Sequence, residues 1–426
     1  MVSSSLQKPF TIAICGGGIG GLALAIGLLR QNVPFHLYES AQAFAEVGAG
    51  VAFGPNSRKA MRLIDENIAK GYNKNATGNA FPELKDVFFS FRWGMDGRGH
   101  NEGTKAGTFI HNVGMLGGAS SIHRAVFLDE LVALMPKECV SFGKRVTKID
   151  QLENGVRLHF QDGSTAEAAA VIGCDGIKSE TRTNLLGKDH TAAHAVFSGK
   201  YAYRGLIPMD KAAAAIGDEL ARNSHMHLGY GGHVLTIPIE NGKVMNVVAF
   251  REKENGIWED GRWVRPMNRK ALEDDFAGWG SAVQGILNLM EKPDEWALFN
   301  YPPAPTYTKG RICLMGDAAH ASTPHNGAGA GMALEDAFIL SNLLGDTEME
   351  ADIEKAFRAF DEVQRPRSQK LVTKSAEAGR LYEFELEGVK DDVKAIQNDL
   401  DHRYRWIWEE DLDKNLERAR GIMREV

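Results

Sequence analysis

The residues best suited to chemistry fall in clusters that lie far apart in the chain. The first is Gly16-Gly17-Gly18-Ile19-Gly20-Gly21, a GxGxxG on Gly16, Gly18 and Gly21. In such a turn the first glycine permits a tight bend. The second lets the backbone approach a pyrophosphate resting on a helix N-terminus, and the third lets helix and strand pack closely. Eighteen residues past Gly21 stands Glu39, closing Phe35-His36-Leu37-Tyr38-Glu39. A carboxylate there accepts hydrogen bonds from both ribose hydroxyls and disfavours a 2′-phosphate. The turn alone does not separate one dinucleotide cofactor from another. The second cluster is Arg124 in Ser121-Ile122-His123-Arg124-Ala125-Val126-Phe127-Leu128. It opens a helical stretch and could reach a cofactor phosphate or be an ordinary surface charge. The third runs Cys313-Leu314-Met315-Gly316-Asp317-Ala318-Ala319-His320, then Pro324-His325-Asn326-Gly327-Ala328-Gly329-Ala330-Gly331, then Met332-Ala333-Leu334-Glu335-Asp336-Ala337. A strand ending at Asp317 would lead through a loop of small residues into a helix. The free N–H groups of that helix start suit a developing anion, and Asp317 is placed to accept from cofactor hydroxyls.

The elements that must position these groups are legible. Phe10 to Cys15 predicts an apolar strand, Leu22 to Arg30 a helix and Phe35 to Glu39 a second strand, which is the βαβ unit of a doubly wound sheet. Strand patterns recur at Val87 to Trp93, Val140 to Ile149 and Val156 to Phe160, the last two flanking an Asn154-Gly155 hairpin turn. Val171 to Cys174 and Ile312 to Met315 suit a buried sheet. Between about 195 and 300 the texture changes. Runs such as His233 to Ile239 and Val244 to Phe250, joined at Asn241-Gly242, predict an inserted antiparallel sheet. Beyond about 331 the pattern is helical to the end.

Composition sets the outer bounds. A chain of 426 residues suggests two closely connected domains. With 43% apolar and 25% charged residues it reads as an ordinary globular protein. The net charge of −7 is scattered, with no basic block that would bind nucleic acid or an anionic membrane. The longest apolar run, around Ile19 to Leu29, is too short to span a bilayer. No apolar signal core follows the Ser-rich start at Met1 to Pro9, so a cytoplasmic protein is expected. Cys15, Cys139, Cys174 and Cys313 have no metal-ligand or CxxC spacing and are expected to be buried free thiols, with no metal site.

Together these motifs resemble the group A FAD-dependent aromatic hydroxylases, closest to the salicylate hydroxylase branch. The matching residues cover most of the chain. They are the GxGxxG with Glu39; Gly48-Ala49-Gly50-Val51-Ala52-Phe53-Gly54-Pro55-Asn56; Arg124; Gly173-Cys174-Asp175-Gly176-Ile177-Lys178-Ser179 with Arg182; Tyr203-Arg204-Gly205; Phe276-Ala277-Gly278-Trp279-Gly280; and Gly316 to Asp336. The resemblance implies an α/β fold: a Rossmann-like FAD-binding domain with an inserted, mainly antiparallel β-sheet substrate domain and C-terminal helices. The expected divisions are 8–190, with some pocket strands near 85–115, then 191–300 for the substrate domain, 301–365 for the second part of the FAD domain and 366–426 for the helical region. The expected FAD contacts are Gly16, Gly18, Gly21, Glu39, Ala52, Arg124, Asp175, Asp317, Gly329 and Ala330. NADH or NADPH is the implied co-substrate, without a domain of its own. The protein's tasks are then to position a phenol, activate it, stabilise the anionic flavin and exclude water.

Two residues are expected to meet substrate. Arg204 matches an arginine that related dearomatising hydroxylases use for a phenolate; a structural ion pair is the alternative. His325, beside the expected isoalloxazine, could bond the substrate hydroxyl or carboxylate, or simply pack in its loop. Those dearomatising relatives carry a Tyr before the sheet proline, where this chain has Ile237 before Pro238. The expected activity is NAD(P)H- and O₂-dependent hydroxylation of a small phenolic acid, salicylate first, with loss of CO₂ to give catechol. The alternatives are a hydroxylase or dearomatase of a phenolic polyketide and a non-catalytic, redox-responsive flavin-binding protein. A monomer or homodimer is expected.

Overall fold

The computed structural model describes residues 8–44, 50–291 and 294–425. Met1 to Gln7 and the Gly48-Ala49 pair of the family-like segment lie outside the described residues. The N-terminal βαβ unit forms as expected. Ile12–Cys15 pairs in parallel with Phe35–Tyr38 on one side and Ala170–Gly173 on the other, and Ala170–Gly173 pairs in parallel with Ile312–Leu314. Ile12–Cys15, Ala170–Gly173 and Ile312–Leu314 are buried along their whole length, which is why they read as unbroken apolar runs. The connecting helix is Ile19–Arg30 and so begins three residues earlier than its apolar pattern suggests. Gly20 and Gly21 are its first turn rather than part of the loop. The run Val140 to Ile149 is not one strand: Val140–Ser141 joins the parallel sheet, and Val146–Leu152 pairs with Gly155–Phe160 in a separate antiparallel sheet across the Asn154-Gly155 turn.

The second large sheet has eight strands among the described residues. In spatial order they are Val264–Pro266, Asp294–Asn300, Val196–Pro208, Val244–Glu252, Gly232–Ile239, His225–Gly229, Val87–Trp93 and Phe109–Gly114. All neighbours are antiparallel except His225–Gly229 with Val87–Trp93. Strands from near residue 90 therefore complete a sheet whose other strands come from 196–300. Its two faces do different things, as strand alternation requires. On one face Tyr201, Tyr203, Val234, Met245, Val247 and Ala249 pack against the helices Met209–Ile216, Arg269–Asp275 and Ser281–Asn288. On the other, Ala202, Arg204, Leu235, Ile237, Asn246, Val248, Phe250, Trp296 and Leu298 line a cavity.

The C-terminal part is helical. Gly329–Asp346 packs on Ile19–Arg30, and the helix Ile353–Tyr382 runs unbroken through the expected division at 365/366. That long helix carries Pro366, whose missing N–H leaves the carbonyl of Glu362 without its helical donor. Arg418, from the last helix Leu412–Glu425, donates to that carbonyl at 3.3 Å. All four cysteines are free, but only Cys15 and Cys313 are fully buried. Cys139 sits in a single 3₁₀ turn and Cys174 just beyond its strand, and both are half-buried, contrary to the expectation for them. No described helix is long and apolar enough to cross a membrane.

Candidate active site

Two cavities meet at the C-terminal edge of the parallel sheet. The smaller, about 250 Å³, is bordered by Gly16, Gly17, Gly18, Tyr38, Glu39, Ser40 and Asp175. The larger, about 360 Å³, lies between the glycine turn, the 316–333 segment and the inner face of the eight-stranded sheet. Gly18, Cys174 and Gly176 border both, so the two form one continuous groove, long enough in kind for a dinucleotide.

The glycine turn divides its work as the spacing predicts. Gly16 has φ +105°, and a Cβ there would lie 2.4 Å from the Cys174 carbonyl oxygen. A Cβ on Gly21 would lie 2.0 Å from the Gly16 carbonyl oxygen, so Gly21 serves helix packing and borders neither cavity. A Cβ on Gly18 would meet nothing within 4 Å: the open space is on the groove side, where a pyrophosphate would approach the start of Ile19–Arg30. Glu39 closes the far end of the small cavity. One carboxylate oxygen accepts from Gly17 N at 2.7 Å, and the other from Ala41 N at 2.7 Å. A carboxylate still has acceptor positions left for ribose hydroxyls in that arrangement.

Asp175 borders the small cavity but turns its carboxylate inward. It accepts from Ser179 Oγ at 2.5 Å and from Thr181 N and Oγ1 at 3.0 Å each. Burial pushes its pKa up, and these hydrogen bonds hold it back. Its observed contacts shape the 175–181 turn. Arg182, fully buried on the same turn, donates to the carbonyls of Ala192, Ala318, Ala319 and Pro302, and lies 3.9 Å from the Tyr301 ring centroid. Arg182 therefore ties this segment to the one that begins with Asp317. Gly316 takes φ +59° to deliver Asp317, exposed in the wall of the large cavity. His320 is held behind it by Asp336 at 2.6 Å, whose same oxygen accepts from Gly316 N at 2.9 Å. Burial opposes a proton on His320, yet the Asp336 carboxylate raises its pKa above the ordinary value.

The loop then supplies Gly329 and Ala330 as the first residues of Gly329–Asp346, lining the large cavity with N–H groups that have no partner within the helix. Next to them, Thr323 Oγ1, both ring nitrogens of His325 and both amide atoms of Asn326 are buried without hydrogen-bond partners among the described residues. Native proteins rarely leave buried polar groups so, and His325 and Asn326, which line the large cavity, fit a ligand that completes them. The groove thus fits FAD by its own geometry: an open cradle at Gly18, a ribose carboxylate at Glu39, Asp317 at mid-groove, and helix N–H groups at Gly329 and Ala330. Ala52 and Arg124 also border the large cavity.

Arg204 projects into the same cavity from the strand Val196–Pro208, opposite Val248 and Asp294 in register. Its guanidinium lies 4.8 Å from the Trp296 ring centroid, and its Nε is buried without a hydrogen bond. Burial lowers its pKa to about 10, Arg124 adds to the lowering, and Asp294 counters it; the group stays cationic at neutral pH. The alternative of a structural hydrogen-bonded ion pair for Arg204 has no such bond among the described contacts. Gly205 does not face the cavity: a Cβ there would meet Met290 on the other face. His325 stands at the junction of loop and sheet, its ring 5.0 Å from Phe250 and 5.1 Å from His233. Burial, with His233 adjacent, holds its pKa well below the ordinary value, so it is neutral.

Sequence reasoning missed Asn246 and Trp296. Asn246 is buried in the cavity wall and accepts from Gly50 N at 3.1 Å. The signal was available: along Val244 to Phe250 the residues Asn246, Val248 and Phe250 share one face, and an amide interrupting an apolar face asks for a partner.

With this geometry, the chain can be set beside known proteins. The FAD binding domain family matches residues 297–375. The chain is 43% identical over 421 residues to the 6-methylsalicylate 1-monooxygenase atA of Aspergillus terreus, covering 98% of this chain and 93% of that protein. It is 39% identical over 422 residues to a salicylate hydroxylase of Pseudomonas putida, covering 96% and 94%. A solved salicylate hydroxylase substrate complex superposes with a TM-score of 0.86 at 37% identity, covering 97% of this chain and 98% of that one.

Proposed function

The chain belongs to the FAD-dependent aromatic monooxygenases of salicylate hydroxylase type, and on that premise we propose that it hydroxylates a small phenolic acid, salicylate first, at the carboxyl-bearing carbon. The observation that carries the reading is the pairing, in one largely apolar cavity, of a buried cation at Arg204 with a neutral, unpartnered histidine at His325. When bound, FAD supplies the redox chemistry, accepting a hydride from NADH or NADPH and activating O₂ for attack on an electron-rich ring. Gly16, Gly18, Glu39, Asp317, Gly329 and Ala330 are the residues that would hold it, with Ala52 and Arg124 also lining the groove. Asp175 supports that binding through the turn it shapes.

Arg204 attracts the substrate's anionic oxygen and favours the ionised phenol, which is the better nucleophile toward an electrophilic oxygen. His325 hydrogen-bonds the substrate hydroxyl and fixes the ring's orientation. Phe88, Met226, Leu235, Ile237 and Val248 exclude water around the ring. These apolar side chains also favour a second substrate, an alkyl-substituted salicylate, since a ring methyl would meet hydrocarbon there. One salicylate, one NADH and one O₂ then yield catechol, CO₂, NAD⁺ and water in equal amounts, with two protons taken up.

The test is a panel of salicylate, 6-methylsalicylate and substituted resorcinols run against NADH or NADPH consumption, with product masses and CO₂ measured. Catechol, or its methylated counterpart, in equal amount with CO₂ is the expected result. Oxygenation of a resorcinol with no response to either salicylate would transfer the assignment to a phenolic polyketide.

A further inference from the structure

Behind His325 lies a buried chain of charged and polar groups that the reading above does not use. His233, on the strand Gly232–Ile239, is fully buried and stacks on Phe250, ring centroids 4.3 Å apart and 14° between planes. Its Nδ1 lies 3.0 Å from Glu383 Oε1, and both side chains are inaccessible to solvent. The other oxygen of Glu383 accepts from Lys200 Nζ, which also donates to Glu385 Oε2 at 3.2 Å. Tyr382 also flanks His233, and its hydroxyl is already engaged with Tyr404 at 2.5 Å.

This order fixes proton positions. Burial alone would raise the Glu383 pKa, but the hydrogen bond from His233 and the Lys200 ammonium beside it hold it well below the ordinary value, while burial lowers the pKa of His233 and leaves it neutral. An ionised carboxylate only accepts, so His233 Nδ1 must donate. In a neutral imidazole the other nitrogen then carries a lone pair. That nitrogen, Nε2, is buried and has no hydrogen-bond partner among the described residues, as do both nitrogens of His325, whose ring centre is 5.1 Å away. His325 is also backed by the long helix: a Cβ on Gly379 would fall 2.6 Å from its Cδ2 and 2.8 Å from its Nε2. With the ring centres 5.1 Å apart, a His325 N–H turned toward His233 would meet that lone pair.

We infer that Glu383 and Lys200 are positioning residues: by locking His233 in the Nδ1–H tautomer, they make His325 a donor toward His233 and an acceptor toward the substrate hydroxyl while that hydroxyl still carries its proton, the state from which Arg204 draws it toward the phenolate. This rests on the reading that His325 meets substrate. A bare histidine in that place could present either N–H or lone pair to the ligand; the chain behind it removes the choice. The Lys200 ammonium keeps Glu383 ionised, and without that ionised acceptor the Nδ1–H tautomer loses its anchor.

The experiment uses the FAD-loaded enzyme labelled with ¹⁵N-histidine, together with product formed per NADH consumed. In the parent, His233 should show one neutral tautomer, protonated at Nδ1. Glu383→Gln, nearly isosteric but able to donate, should mix or reverse that tautomer. It should also lower product per NADH on the order of tenfold while KM for the phenol changes much less, as orienting partners of functional histidines do. Glu383→Asp should restore part of the coupling. Lys200→Met provides the same readouts if Glu383→Gln does not retain FAD. A parental tautomer with parental coupling in these variants overturns the inference. His325→Ala separates the two levels. If it uncouples while Glu383→Gln and Lys200→Met behave as the parent, only the positioning role fails; if His325→Ala is fully coupled, the substrate contact fails and the positioning role with it.

Discussion

The frame behind the groove and the groove's own lining use buried polar groups in opposite ways. Around the parallel sheet, Asp175, Arg182 and Asp336 spend their side chains on neighbouring segments, and Glu335 is clasped by Arg367 and Asn56. Along the groove itself, Arg204 Nε from the sheet and His325 and Asn326 from the loop are buried without such partners. The first arrangement holds loops in place whether or not anything is bound. The second stores unmet hydrogen-bonding capacity, which only a ligand can discharge. Stability should therefore depend on the first set and catalysis on the second.

The sharpest way to break this contrast is Arg182→Met. It strands four carbonyl acceptors in a buried place, so we expect a loss of about 3 kcal/mol or more in urea unfolding, together with FAD loss on dialysis. If stability and FAD content stay parental, the hydrogen-bonded frame is not the scaffold described.

Next comes a reciprocal pair. Arg204→Ala should retain FAD and fold, yet lower coupled oxygenation by roughly ten- to a hundredfold, from about 1.5–3 kcal/mol of lost charged hydrogen bonding, with NADH oxidation diverted to hydrogen peroxide. Lysine at that place should rescue only in part, and higher pH should help the alanine variant because solvent then supplies the phenolate. Asp317→Ala should do the converse, weakening FAD by about ten- to a hundredfold with little change in unfolding. Both are read by flavin absorbance and product per NADH; matching losses in the two variants would erase the distinction.

The smallest effect at neutral pH is expected at His227, buried on the sheet beside His225. Burial, with the neighbouring His225 charge, lowers its pKa to about 3. The unfolded chain therefore binds a proton there from about pH 6.5 downward, while the folded protein does not until about pH 3, and stability falls with pH between them. His227→Leu should flatten this slope, narrowing the gap to the parent by about 2 kcal/mol between pH 7 and pH 5. Parallel stability curves would show that His227 titrates normally.

How much was legible in the sequence follows the same division. The glycine turn, Glu39 and the 316–336 segment announce themselves because backbone geometry demands particular residues: Gly16 at φ +105° and Gly316 at φ +59° admit little else. Strand positions around the Asn154-Gly155 and Asn241-Gly242 turns were readable for the same reason. The substrate wall is harder, because an eight-stranded sheet assembled from distant segments brings Trp296, Asn246 and Phe88 together only in space. Asp175 shows the reverse difficulty: its motif marks the groove, but its carboxylate is consumed by Ser179 and Thr181, which no spacing reveals. His233 opens a strand in the sequence pattern with nothing to mark it, and only the distant Glu383 sets it apart.

The two-faced eight-stranded sheet has an evolutionary consequence. Tyr201 and Tyr203 both bond Asp275 on the helix-covered face, at 2.6 and 2.7 Å, while Ala202 and Arg204, between and beside them, line the cavity. Because neighbouring residues point to opposite sides, a codon change at Ala202, Leu235 or Val248 alters what the pocket admits without disturbing the packing that keeps the strands in register. Substrate preference in such a lineage can drift one side chain at a time, each intermediate still folded, so that related chains diverge in the molecules they oxidise far faster than in their architecture.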